Sequence, residues 1–181
     1  MDPFLKDIIQ IAAWCIAIIA GIVTAFKALY EIKKNRELRD RELKWNKAKL
    51  ARELIQEFES HSGFSVAHQL IVWSSREYQI NSGKVQKIDK KTVLDSIRID
   101  DTKFSDVEIF IRDRLIKYFH SLSRLEHFIV RELVDFEDVK YDFEYSSKKI
   151  SEDSEIYYMY LKKYHSDELA VNFLNRFKIT K

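Results

Sequence analysis

Residues 8–26, IIQIAAWCIAIIAGIVTAF, carry no charge and lie between Asp7 and Lys27. A helix needs about 20 apolar residues to cross a hydrocarbon core about 30 Å thick. Ala28, Leu29 and Tyr30 lengthen the run, since Lys27 can snorkel to the interface. The pattern predicts a short tail over 1–7 and a transmembrane helix over 8–29. A lone span must be a helix, because lipid offers no partners to backbone N–H and C=O groups. A cleaved signal peptide fits less well, as Asp7 follows Lys6 directly and no A-x-A site appears.

Residues 30–60 read as a continuation of that helix, rich in helix formers and free of Gly and Pro. The first half is charged nearly all round, with Ile32 and Leu38 as its apolar marks, and Glu37 and Arg41 at ion-pair spacing. In the second half Trp45, Ala48, Ala51, Ile55 and Phe58 share a stripe, flanked by Leu43, Leu50 and Leu54. His61-Ser62-Gly63 ends this helix, and 61–181 is read as the helical domain. A shorter helix with Val66, Leu70, Ile71 and Trp73 as core marks is expected to end near Asn81-Ser82-Gly83. Over 84–103, Val85 and Ile88, then Ile97 and Ile99, suit short extended pieces or a partner-binding loop. Ser105-x-x-Glu108 is a capping box, predicting a helix to about Val134 with Phe104, Val107, Phe110, Ile111, Leu115, Tyr118, Phe119, Leu122, Leu125, Phe128 and Ile129 in the core. Val139, Tyr141, Phe143 and Tyr145 alternate with charged residues, the period of a short strand. Helices from Ser154 and from Ser166-Asp167-Glu168 complete the chain, the second opened by acidic residues that suit the helix dipole. The fold class is therefore all-α with one short β element.

Composition agrees. One Pro and three Gly in 181 residues leave few breakers, which favours long helices over a turn-rich β fold. Lys+Arg 31 against Asp+Glu 29 gives a net charge of +2, too balanced for a dedicated duplex-DNA binder. The single cysteine, Cys15, lies in the apolar run, so the chain can build neither an internal disulfide nor a cysteine-based zinc site.

Charge also orients the span. Lys27, Lys33, Lys34, Arg36, Arg39, Arg41 and Lys44 follow it, whereas Lys6 before it is offset by Asp2 and Asp7. The positive-inside rule puts the C-terminal side in the cytoplasm and the N-terminus outside. Lys33, Lys34 and Arg36 either attract anionic lipid, at about 1 kcal/mol each, or only enforce topology. One span conducts nothing, but Ala13, Ala17, Gly21 and Ala25 recur every four residues, the small-residue stripe that lets helices approach closely in lipid. Alanine is also simply common in such helices. Gln10 and Thr24 are the polar side chains of the span, and a ring of copies would line a mostly apolar pore of the kind gated by dewetting.

Candidate chemistry lies on the helix from Ser105. Asp113, Lys117, His120, Arg124, His127 and Arg131 are spaced 4, 3, 4, 3 and 4, along one helix face. Histidines interleaved with arginines can cut RNA without a metal: one imidazole takes the 2′-hydroxyl proton while a guanidinium steadies the phosphorane. The same pattern suits a solvated polar face, or a subunit contact through His120 and His127. His61, His68 and His165 have no partners at metal-ligand spacing, and no metal or cofactor is expected. Tyr157, Tyr158, Tyr160 and Tyr164 suit either base stacking or a core.

Arg114-Leu-Ile-Lys-Tyr-Phe-His120 fits the R-x(4–6)-H signature, and the helical domain thereby resembles HEPN domains, small bundles that often dimerise into RNases. With one span, a charged helix and a compact helical domain, the whole chain is similar to the membrane accessory proteins of type VI-B CRISPR systems. That resemblance implies a single-pass protein of the bacterial inner membrane, a ring-like homo-oligomer whose spans form a pore, and a functional partner in an RNA-guided RNase. Opening after RNA targeting would depolarise the infected cell, and the HEPN-like domain would serve as scaffold. Two alternatives remain: a membrane-tethered metal-independent RNase acting on RNA, with His120 as acid/base and Arg114 or Arg124 on the phosphate, and a plain membrane-anchored interaction module.

Overall fold

The computed structural model describes residues 3–80, 83–99, 103–165 and 168–178, apart from the side chains of 3, 5–13, 15–17, 164 and 165. The described residues are mostly helical: seven helices and one two-stranded sheet. The chain divides into two compact units, Met1–Asn46 and Lys47–Lys181, with the division falling inside helix α1, Pro3–Ser60.

In the first unit α1 leaves its apolar side chains uncovered, with Ile18, Ile22, Phe26, Leu29 and Ile32 all exposed. Leu43 and Trp45, expected on the apolar stripe, are exposed as well, because no element of this unit lies against them. Glu37 and Arg41 do not close the expected ion pair; both are fully solvated, and exposed pairs contribute little. Thr24 donates to the Ala20 carbonyl at 2.8 Å, so its hydroxyl is satisfied within the helix. Among the described residues, no helix is long and apolar enough to cross a membrane. Gln10, Ala13 and Ala17, singled out within the apolar run, have side chains outside the described residues.

The second unit is built on α4, Asp106–Val130. Its capping box forms as read: the Ser105 hydroxyl accepts from the Glu108 N–H and the Glu108 carboxylate accepts from the Ser105 N–H. Phe110, Ile111, Leu115, Tyr118, Phe119, Leu122, Leu125 and Ile129 are buried, while Phe104, Val107 and Phe128 are half-covered. Helix α2, Ser62–Val72, helix α3, Lys90–Ser96, and helix α7, Glu168–Arg176, pack directly on α4. From α1, Ala51, Leu54 and Phe58 enter the same core. Inside it the Tyr118 hydroxyl donates to Ser146 at 2.8 Å, and Glu126, with its side chain 3% exposed, receives Arg176 of α7 at 2.7 and 2.8 Å. A buried carboxylate needs such a partner, which ties the last helix to the central one.

Four expectations change. Helix α2 stops at Val72 rather than near Gly83, and the chain turns into a hairpin of β1, Ser75–Gln79, and β2, Val85–Asp89, antiparallel with Ser75 opposite Asp89. Tyr78 and Ile88 are the buried members of an otherwise polar hairpin, and Gly83 takes φ +77° in its turn. Trp73 lies outside the core, half-exposed under the Arg76 guanidinium at 3.9 Å. Helix α4 ends at Val130 because Glu132 adopts φ 58°, letting Leu133 N–H reach back to the Phe128 carbonyl at 3.0 Å.

The expected strand over 139–145 is the fourth, and it is helix α5, Phe136–Glu152. Val139, Phe143 and Ile150 are buried at helical spacing while Tyr141 and Tyr145 face solvent. The alternation is real but shorter than the 3.6-residue period that continues to Ile150, and Glu137 and Asp138 suit a helix start. Helix α6, Ser154–His165, follows, and buries Tyr157 and Tyr160.

Candidate functional site

Within the second unit, the end of α1, the start of α2 and one face of α4 enclose a groove of about 490 Å³. Glu57 and Phe58 come from α1, and Gly63 and Phe64 from the first turn of α2. Lys117, His120, Ser121 and Arg124 come from α4, and His61 occupies the junction between α1 and α2. The sequence places them there simply. Positions 117, 120, 121 and 124 are i, i+3, i+4 and i+7 on one helix face, opposite the buried Leu115, Phe119 and Leu122.

The Arg124 guanidinium bonds the Glu57 carboxylate at 2.5 Å, which holds that carboxyl below its ordinary range. His61 Nδ1 lies 2.6 Å from the Glu57 carbonyl; a carbonyl only accepts, so Nδ1 carries the proton and Nε2 is the nitrogen left for a ligand. Lys117 lays its stem against the first turn of α2: a Cβ on Gly63 would fall 2.6 Å from Lys117 Cδ. That helix start has no acidic residue in its first turn and no side-chain cap.

The predicted stripe is therefore divided. Lys117, His120 and Arg124 line the groove, whereas Asp113, His127 and Arg131 are exposed elsewhere on α4 or at its end, with His127 edge-on to Phe128 at 6.4 Å. Arg114 is not brought to His120. Six residues on a helix of 3.6 per turn separate them by about 240°. Arg114 lies over the Phe110 ring at 5.0 Å, with its Nε buried and unpartnered. The R-x(4–6)-H pair does not form within one chain.

No known protein family, curated protein or solved structure matches this chain.

His61 is the groove residue that the sequence reading set aside. Nothing in its neighbourhood advertises it; only the turn between α1 and α2 carries it toward α4. Of the other histidines, His68 is half-buried beside Glu59, Ser65 and Asp142, and burial pushes its imidazole down; the His165 side chain lies outside the described residues. Tyr157 and Tyr160 belong to the core and offer no face to a base, and Tyr158 donates to Asn175 at 3.1 Å. The Tyr164 side chain lies outside the described residues. Among the described residues, no group of three or more His, Cys, Asp or Glu is placed to hold a metal ion. Of the residues singled out in the apolar run, Thr24 and Ala25 are exposed and Gly21 has open space around it.

Proposed function

We propose that this chain is a single-pass protein of the bacterial inner membrane that assembles through its N-terminal helix into a ring-like homo-oligomer and perturbs or depolarises that membrane. It acts as an accessory effector of antiphage defence, beside the RNA-guided RNase of a type VI-B CRISPR system, with its helical domain in the cytoplasm as assembly scaffold. The observation that carries this reading is the uncharged run of residues 8–26, followed at once by seven basic residues before position 45. The separation of Arg114 from His120 supports a scaffold over a nuclease.

The test is the double variant Ala17→Leu, Gly21→Leu. A side chain at Gly21 meets nothing within 4 Å in the single chain, so a defect there reports on a neighbouring copy. We expect light scattering, corrected for detergent, to give a discrete assembly of several chains for the native protein and a monomer for the variant. Phage protection and depolarisation, followed with a potential-sensitive dye, fall with it. Full protection by the double variant overturns the reading.

A tethered RNase is the second reading, favoured by the convergence of His61, Lys117, His120 and Arg124 on one groove. Cleavage of single-stranded RNA that His120→Ala abolishes, with assembly intact, would transfer the assignment to it.

A further inference from the structure

Past its apolar run, helix α1 changes charge balance in two steps. Over 27–36 four cations, Lys27, Lys33, Lys34 and Arg36, stand against one carboxylate, Glu31. Over 37–44 three cations, Arg39, Arg41 and Lys44, stand against three carboxylates, Glu37, Asp40 and Glu42. The excess of positive charge is thus confined to the stretch that adjoins the run. At about 100° per residue, Arg36, Lys33, Lys34 and Lys27 fall within one half of the helix circumference, and Tyr30 lies inside that arc. Glu31, Ile32 and Asn35 occupy the other half. The side chains of the arc are all exposed, and among the described residues none of its four cations closes an ion pair. Glu37 borders the same shallow strip as Tyr30, Lys33 and Lys34, but it too pairs with none of them.

The helix is unbroken here, so axial distances follow from its rise. Lys33, Lys34 and Arg36 lie about 6–11 Å past Leu29, the end of the predicted span, and Arg39, Arg41 and Lys44 about 15–23 Å past it. A headgroup layer is about 5–8 Å thick on each side, and attraction to its charge fades within about 8–10 Å at physiological ionic strength. Each Cα–Cβ bond of a helix tilts toward the N-terminus, so the long basic side chains lean back toward the run. We infer that Lys27, Lys33, Lys34 and Arg36 bind the phosphate groups of anionic phospholipid at the membrane surface, with Tyr30 seated among the headgroups. This binding rests on residues 8–29 being a span, and it gives the basic flank a lipid ligand beyond its part in setting orientation. Arg39, Arg41 and Lys44 are excluded from it twice over, by distance and by the carboxylates that balance them.

The experiment is native mass spectrometry of the full chain in micelles that hold equal amounts of phosphatidylglycerol and phosphatidylcholine. A micelle has no inside, so a flank that only sets topology retains the two lipids equally. The native chain is expected to retain phosphatidylglycerol at least about tenfold over phosphatidylcholine, since each basic side chain near an anionic surface is worth about fivefold. The triple variant Lys33→Gln, Lys34→Gln, Arg36→Gln lowers that ratio by about fivefold or more. A second triple, Arg39→Gln, Arg41→Gln, Lys44→Gln, removes the same charge further along the helix and leaves the ratio unchanged. Lys33→Arg, Lys34→Arg, Arg36→Lys keeps the charge and keeps the preference. An embedded chain that retains both lipids equally, or equal losses in the two glutamine triples, overturns the inference alone. Stripping of the native chain from membranes by alkaline carbonate overturns the span, and the inference with it.

Discussion

Glu108 shows how much one side chain can organise. It closes the capping box with Ser105 and also receives the Arg98 guanidinium, so the start of α4 and the segment before it meet at one carboxylate. Arg98 chiefly, and then the Ser105 N–H, hold its carboxyl down to about 2 from an ordinary 4.5. A depressed carboxyl contributes stability that is fully present above the unfolded value and lost as pH falls through the folded one. Glu108→Gln should therefore be less stable than the native chain at pH 6, and the gap should close between about pH 4.5 and pH 2. Chemical unfolding of both proteins at a series of pH values measures this; a gap independent of pH would mean the carboxylate charge contributes nothing. The cap was legible because its partners are three residues apart. Arg98 was not, since the chain that returns it to Glu108 has no local signature.

Among the elements, α5 separates two readings of one pattern. A strand over 139–145 would put Val139, Tyr141, Phe143 and Tyr145 on one face, with equal claims on the core. In the helix Phe143 is 2% exposed and packs edge-on against Phe64 and Phe173, while Tyr141 is 90% exposed. Phe143→Ala should lose about 3–5 kcal/mol of unfolding free energy, and Tyr141→Ala should stay within about 0.5 kcal/mol of the native chain. Equal losses at the two positions in thermal or urea unfolding would favour the strand. Of the hairpin, an extended piece at Val85 and Ile88 was among the readings, but β1 and its pairing with β2 were not, for a related reason. Its strands carry mostly polar side chains, and Tyr78 and Ile88 are assigned to a face only by the α4 core beneath them.

For the whole molecule, the apolar core of Lys47–Lys181 includes Ala51, Leu54 and Phe58 from the end of α1. A fragment of residues 47–181 should keep a single cooperative unfolding transition. A fragment of residues 61–181, cut where the helix ends, removes Leu54 and Phe58, each worth about 2–5 kcal/mol, and should unfold without cooperativity or not fold. Circular dichroism during heating distinguishes the two; a cooperative 61–181 fragment would show that α1 merely leans on the core.

What the sequence settled by itself was whatever depends on near neighbours: the mostly helical class, the capping box, the eight buried apolar positions of α4, and the uncharged run with its basic flank. These follow from hydrogen bonds and side-chain periods spanning three to seven residues. Lys117, His120 and Arg124 were likewise readable as one helix face. Only the tertiary structure decided that Glu57 and His61 close over that face and that Glu126 is joined to Arg176, because those partners meet through the packing of α1, α2 and α7 on α4. Side chains fifty or more residues apart leave no trace in a local pattern; the burial of the core brings them together.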